Sequence, residues 1–231
     1  PSTGVRSQPV KLPVQRIDLQ VINGNLKVTD SKAKTVELSQ INSRLNLQPL
    51  GQQTKFDVNM AVVTDDTASK ISAAGQVTTS TKTGWSLKGT TGELIVEVND
   101  LDLASLGPIL ELAKVELQAK GVVSANITSG IKDGRFENLA ANIKARNLDI
   151  TGPQLKGDRL QSSVLDVDVK LSQKEEILNI DRLQLHSDWA QASAGGTIPT
   201  TFKSFADFLQ PDSRHSLKGN FSCDLAAILS Q

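Results

Sequence analysis

The chain has 231 residues, 25 Lys+Arg against 25 Asp+Glu, 38% hydrophobic residues, 3% aromatic residues and no tyrosine. Balanced charge removes the basic stripe that nucleic-acid binding leaves in a sequence, so no nucleic-acid partner is expected; scarce rings leave little for base stacking or sugar platforms. The single cysteine, Cys223, excludes an intrachain disulfide, and the apolar runs fall far short of a membrane span.

Residues 1–13, PSTGVRSQPVKLP, are polar and proline-containing and read as a linker rather than a signal peptide. Alternation of period two then begins: Ile17, Leu19 and Val21 share one face, with Asp18 and Gln20 opposite. Asn23-Gly24 is a strong short hairpin signal and predicts a turn before Leu26 and Val28. Further strands are expected around Leu45/Leu47, Phe56/Val58/Met60/Val62, Trp85/Leu87 and Leu94/Val96/Val98, with a turn at Asn99-Asp100. Asp102 can cap LASLGPILELAK, with Leu103, Leu106, Leu110 and Ala113 near helical spacing and Pro108 dividing it or starting its second piece.

The second half reads as strands at Val115/Leu117/Ala119, Val123/Ala125/Ile127, Leu165/Val167/Val169/Leu171 and Leu183/Leu185, with turns at Asp133-Gly134 and Glu175-Glu176. FKSFADFLQ, capped by Thr200 or Thr201, carries Phe202, Phe205, Phe208 and Leu209 on one stripe. Asp224 can cap LAAILSQ. One-sided strands joined by short connections predict an antiparallel meander with one dry and one wet face.

Short phrases recur in order. Asn25-Leu-Lys-Val-Thr returns as Asn147-Leu-Asp-Ile-Thr, and Ile41-Asn-Ser-Arg-Leu loosely as Leu160-Gln-Ser-Ser-Val. SAAGQV from Ser72 returns as SAGGTI from Ser193, SLKG from Ser86 returns at Ser216, and Asp102-Leu-Ala returns as Asp224-Leu-Ala. The near-constant spacing predicts two copies of one β unit, about 14–114 and 135–231, within one elongated domain over 14–231. The spacing of SLKG is the outlier and places an insertion at the Phe-rich segment. The small residues of SAAGQV and SAGGTI are expected where the sheet curves or backbones approach closely.

Catalytic chemistry has no visible seat. There is no HExxH, CxxC, G-x-S-x-G elbow or nucleotide-binding glycine loop, so no catalytic residue, metal or cofactor is expected. His186 and His215 read as polar strand and loop residues. Asp166 and Asp168 read as the solvated side of a strand rather than an acid–base pair, and Cys223 as a small buried hydrophobe. Trp85 and Trp189 read as core residues, with groove lining as the other reading.

Three stretches carry a family likeness. IDLQVINGNLKVTD, ILNIDRLQLHSDWAQASAGGTI and LDLASLGPILELAKVELQAKGVVSANI resemble AsmA-like proteins. Their shared traits are strand–N/D-G–strand units, an apolar strand followed by a Gly-rich one, and an Asp-Leu-Ala helix leading into a strand. The resemblance implies a repeating β-groove: a long curved antiparallel sheet, open or partly closed like a barrel, with an apolar concave face. Members are similar to bridge-like lipid transfer proteins of the bacterial cell envelope. The expected function is therefore non-enzymatic binding and transfer of phospholipid or another acyl-chain lipid in the periplasm. The chain would be part of a protein anchored in the inner membrane, with inner- or outer-membrane or other envelope partners. Candidate groove residues are Leu26, Val28, Val58, Met60, Val96, Val98, Leu117, Val123, Val167, Val169, Leu183 and Leu185; candidate plug residues are Phe202, Phe205 and Phe208. The alternative is a structural β-spacer or adhesin-like interaction module, its strands packed sheet on sheet with no cavity.

Overall fold

The structure is a computed structural model that describes residues 15–63, 68–84, 86–156, 158–200 and 215–226. The linker at 1–13, Trp85 and the candidate plug residues Phe202, Phe205 and Phe208 lie outside the described residues. Eleven strands form one antiparallel sheet in chain order: β1 (Ile17–Thr29), β2 (Thr35–Leu47), β3 (Gln53–Val63), β4 (Ala68–Thr78), β5 (Thr91–Asp102), β6 (Gln118–Lys132), β7 (Arg135–Thr151), β8 (Arg159–Lys174), β9 (Ile177–Ser187), β10 (Ala190–Pro199) and β11 (Ser216–Cys223). The first and last strands are edges, so the sheet is open.

Local chemistry sets the turns. The β1–β2 hairpin is built on Asp30, whose Oδ1 accepts from the backbone of Lys32 and Lys34 at 2.9 and 2.8 Å. Asp133-Gly134 forms the expected two-residue turn between Lys132 and Arg135, with φ of 53° and 74°. Glu175-Glu176 closes the β8–β9 hairpin between Lys174 and Ile177.

The other two turn expectations are corrected. Asn23-Gly24 lies inside β1, and Asn99-Asp100 lies inside β5. Both sites are β-bulges, with left-handed Asn23 (φ 52°) and Asp100 (φ 47°) beside shifts in strand register. Asparagine and aspartate tolerate that conformation, so the dipeptide signal reports positive φ, which a bulge uses as readily as a turn. The β1 bulge faces one in β2: Asn42 Oδ1 accepts from Asn23 N, and its amide donates to the carbonyl of Gln40 (φ 50°). The β5 bulge is tied to both neighbours. Ser69 Oγ donates to Asp100 O, and Asp100 N donates to Ser124 Oγ. Bulges add bend and twist to the strands that carry them.

Two further expectations fail locally. Leu87 does not lie in a strand; Ser86–Gly89 belongs to the β4–β5 loop, where Leu87 is 73% exposed. Thr90 Oγ1 donates to the Ser86 carbonyl and Thr90 N to the Leu87 carbonyl, so local bonds replace a ladder. SLKG at Ser216 does lie in a strand, β11, so its two occurrences are not equivalent places. Val115 and Leu117 also precede their strand: the Val115 amide closes on the Leu110 carbonyl at the end of the helix below, and β6 starts at Gln118.

The Asp102 helix forms in two pieces, a 3-10 turn over Leu103–Leu106 and α1 (Gly107–Leu112), with Pro108 opening the second. Asp102 caps the first piece through Ala104 N at 3.0 Å, and Asp224 makes the same contact to Ala226 N at 2.9 Å. The Asp-Leu-Ala phrase thus ends β5 and β11 alike. The other repeated phrases fall in β1 and β7, β2 and β8, and β4 and β10.

The glycines of SAAGQV and SAGGTI answer to close contacts. A Cβ on Gly75 would sit 2.5 Å from Phe56 Cζ, and one on Gly196 (φ 140°) would sit 1.7 Å from the Ser216 carbonyl oxygen. An aromatic ring therefore covers one phrase and the β11 backbone crowds the other.

Candidate functional site

Side chains of residues paired across a ladder share a face, so the register assigns every position. One row runs without a break from β3 to β11: Val58, Ala73, Val96, Ile127, Ala141, Val169, Leu183, Ala194 and Gly219. The row beside it is Met60, Ile71, Val98, Ala125, Ile143, Val167, Leu185, Ala192 and Phe221. Between them, on the opposite side, lie Asn59, Ser72, Glu97, Asn126, Asn142, Asp168, Gln184, Ser193 and Asn220. Nine strands at ordinary spacing make each row roughly 40 Å long.

Eight of the twelve candidate groove residues stand in these two apolar rows: Val58, Met60, Val96, Val98, Val167, Val169, Leu183 and Leu185. Leu26 and Val28 join the same face through Leu38 and Val36, and Val123 through Ala145. Leu117 lies just before β6 and outside the ladder. Sequence reading passed over Leu38, Leu139, Ala141 and Ile143, which share the apolar face. In β7 small alanines dilute the alternation; in β2 the extra residue at Gln40 shifts its phase.

Cover over this face is uneven. Leu103, Leu106 and Ile109 pack against the buried Val36, Val62 and Leu101, with Val28, Leu38, Ile71 and Val98 around them. Glu111 reaches from α1 to accept from the Ser31 backbone in the β1–β2 turn. The Asp102 helix therefore lies across the ends of β1–β5, and Val28 and Val98 pack against the same buried cluster. Elsewhere, among the described residues, no strand or helix lies over the apolar rows. Among the described residues the buried apolar side chains are Val36, Ala61, Val62, Leu101, Pro108, Ala145, Leu148 and Ala190.

The wet face behaves as such. A depression of about 530 Å³ over β7–β11 opens mainly on this side, among Lys144, Asp166, Asp168, Gln184 and His186. Asp168 is engaged by Asn142 Nδ2 at 3.3 Å and by Arg182 at 3.2 Å. His186 is exposed opposite Asp166. Cys223, expected to be buried, is exposed, because β11 is an edge. Trp189 is half-buried in the β9–β10 turn and donates from Nε1 to the Gln161 carbonyl. Beside it, Asp188 accepts from Ser162 Oγ and from the backbone and hydroxyl of Ser163; these bonds pull its pKa down to about 2. Asp149 is held below the usual carboxylate range by its two hydrogen bonds from Arg159, both 2.7 Å. Both carboxylates are structural ties between neighbouring strands. Among the described residues no three His, Cys, Asp or Glu side chains gather to hold a metal ion, and no helix is long and apolar enough to cross a membrane.

Comparison with protein-family models, with curated proteins and with solved structures gives no match.

Proposed function

We propose that the protein is a non-enzymatic lipid-binding module, holding acyl chains against the apolar face of its sheet as part of a lipid-transfer path in the cell envelope. The observation that carries this reading is the pair of unbroken apolar rows, roughly 40 Å long at the usual strand spacing, with no second layer over β7–β11 among the described residues. Each methylene moved from water onto such a surface gains about 0.8 kcal/mol. A chain of many methylenes can therefore be held without directional bonds, while its head group stays in water at the open side. The likeness to AsmA-like proteins supports a bacterial periplasmic setting, an inner-membrane anchor elsewhere in the protein and phospholipid as the cargo. A spacer would bury the same rows against a second sheet, and the described strands form one sheet only.

Native mass spectrometry of gently purified protein tests the reading. Co-purified phospholipid is expected. A photo-crosslinker at Val169 should label the acyl chain, and one at Lys170, on the wet face, should not. A lipid-free protein, or equal labelling from both positions, overturns the proposal.

A further inference from the structure

The polar side of β7–β10 carries a trough that the lipid reading does not use. The register sets its side chains in two rows. Lys144, Asp166, His186 and Gln191 stand opposite one another in the first. Asn142, Asp168, Gln184 and Ser193 form the second. Neighbours in a row lie about 5 Å apart and the rows about 7 Å apart. Val167, Leu185 and Ala192 also line the hollow, and their side chains turn to the other face, so its floor is backbone. It holds about 530 Å³, and a second hollow of about 280 Å³ adjoins it along β9 and β10, sharing Gln184 and Ser193. All four strands are paired on both sides within the sheet.

The polar groups of the trough are mostly unspent. Asp168 is taken up by Asn142 Nδ2 at 3.3 Å and by Arg182 at 3.2 Å. The side chains of Lys144, Asp166, Gln184, His186, Gln191 and Ser193 make no hydrogen bond or ion pair among the described residues. Lys144 and Asp166 face each other directly and still form no ion pair. Free amides, a neutral imidazole and a hydroxyl each donate and accept, as the hydroxyls of a sugar do. One free lysine against one free aspartate gives the two rows no net charge for an ion to follow. Neither row holds an apolar or aromatic side chain to meet a lipid tail or a base. We propose that this trough binds a neutral oligosaccharide lying across β7–β10. Gln184, His186 and Gln191 bond its ring hydroxyls, and Asp166 accepts from an adjacent pair of them. The rows span about 15 Å by 7 Å, room for roughly two or three sugar rings. Hydrogen bonds without a stacking ring make the binding weak, with a Kd of about 1–10 mM.

The trough lies on the face opposite the apolar rows, so its test uses no lipid and its failure leaves the lipid reading standing. Maltose and N,N′-diacetylchitobiose, two neutral disaccharides, are titrated into the isotope-labelled full chain and followed by NMR. Saturable shifts of the Gln184 and Gln191 side-chain amides are expected. Gln184→Leu together with Gln191→Leu should weaken binding at least about tenfold while circular dichroism stays unchanged. Asp166→Asn, which keeps the shape and removes the charge, should weaken it severalfold. Asn59→Leu, on the same face over β3, should leave it as it is. The proposal is overturned by the absence of a saturable shift with either sugar at about 100 mM, or by an equal loss from Asn59→Leu. Tighter binding of inorganic phosphate than of either sugar also overturns it, since Lys144 and His186 would then form an anion site.

Discussion

The two halves of the sheet treat the same kind of surface differently. Over β1–β5 the Asp102 helix lies on the apolar face and creates the buried cluster of Val36, Val62 and Leu101. Over β7–β11 the corresponding rows, Val169, Leu183 and Ala194 among them, are half-buried by their neighbours within the sheet. Ten residues of helical chain thus convert a wettable face into a core. The first region owes its stability to packing, and the second leaves apolar surface available for another occupant.

A charge placed in each region should separate them most widely. Val62→Asp puts a carboxylate under the helix, among Val36, Leu101, Leu103 and Leu106, and should cost about 4 kcal/mol. Val169→Asp, on the uncovered face, should cost about 1 kcal/mol because the carboxylate can stay in water. Denaturant unfolding of both variants measures the gap. Equal losses would mean that the second region is as closed as the first.

Next in size is Gly75→Val. Its Cβ would meet Phe56 Cζ at 2.5 Å and the Glu93 carbonyl at 2.7 Å, and the carbonyl belongs to the ladder and cannot move aside. A loss of about 2 kcal/mol is expected by the same unfolding measurement. Gly195→Val, whose nearest neighbour is the Ile180 carbonyl at 3.4 Å, should lose less. This pair sharpens the comparison at the two repeated small-residue phrases: similar words, one under a ring and one beside an edge.

A smaller effect is expected at Asp188, which ties the β9–β10 turn to β8. Its folded pKa, about 2, lies below the ordinary 3.8 because Ser162 and Ser163 donate to the carboxylate. A depressed acid contributes stability that is full above pH 4 and is lost as pH falls from about 4 to about 2. The site is open to solvent, so the contribution is about 1 kcal/mol rather than the whole linkage value. Asp188→Ala should lower stability at pH 7 by that amount and flatten the acid limb between pH 4 and 2. An unchanged acid limb would show that the serines do not hold the carboxylate in solution.

The open meander and its single apolar face were legible because period-two alternation reports which face each side chain takes, as in LDVDVKL of β8. The Asp102 helix was legible down to its division at Pro108, because caps and prolines act locally. Two things were not. Positive-φ residues such as Asn23 and Asp100 serve bulges and turns alike, and only the partner strand decides between them. The exposure of Cys223 depends on which strand ends the sheet, which is a property of the assembly of strands and not of the sequence SLKGNFSC. For the candidate site, the apolar positions were readable one by one. Their alignment into two continuous rows was not, because it depends on the bulges that keep nine strands in step.

The smallest expected change in stability is at Val169→Trp, and it bears most on what the uncovered region is for. Val169 stands between Ala141 and Leu183, and the alanine leaves room on one side for a larger ring to lie along the sheet. With no layer above it among the described residues, the indole displaces water rather than packed atoms, and unfolding should change by less than about 1 kcal/mol. The same ring occupies surface that an acyl chain would otherwise cover, so lipid recovered in native mass spectrometry should fall severalfold. Leu106→Trp, on the helix over the first region, should do the reverse: destabilise by overpacking against the Val36 and Val62 cluster and leave lipid occupancy per folded molecule unchanged. If Val169→Trp instead destabilises strongly while lipid recovery is unaffected, the uncovered face is packed in solution, and the contrast between the halves reduces to two ways of building one core.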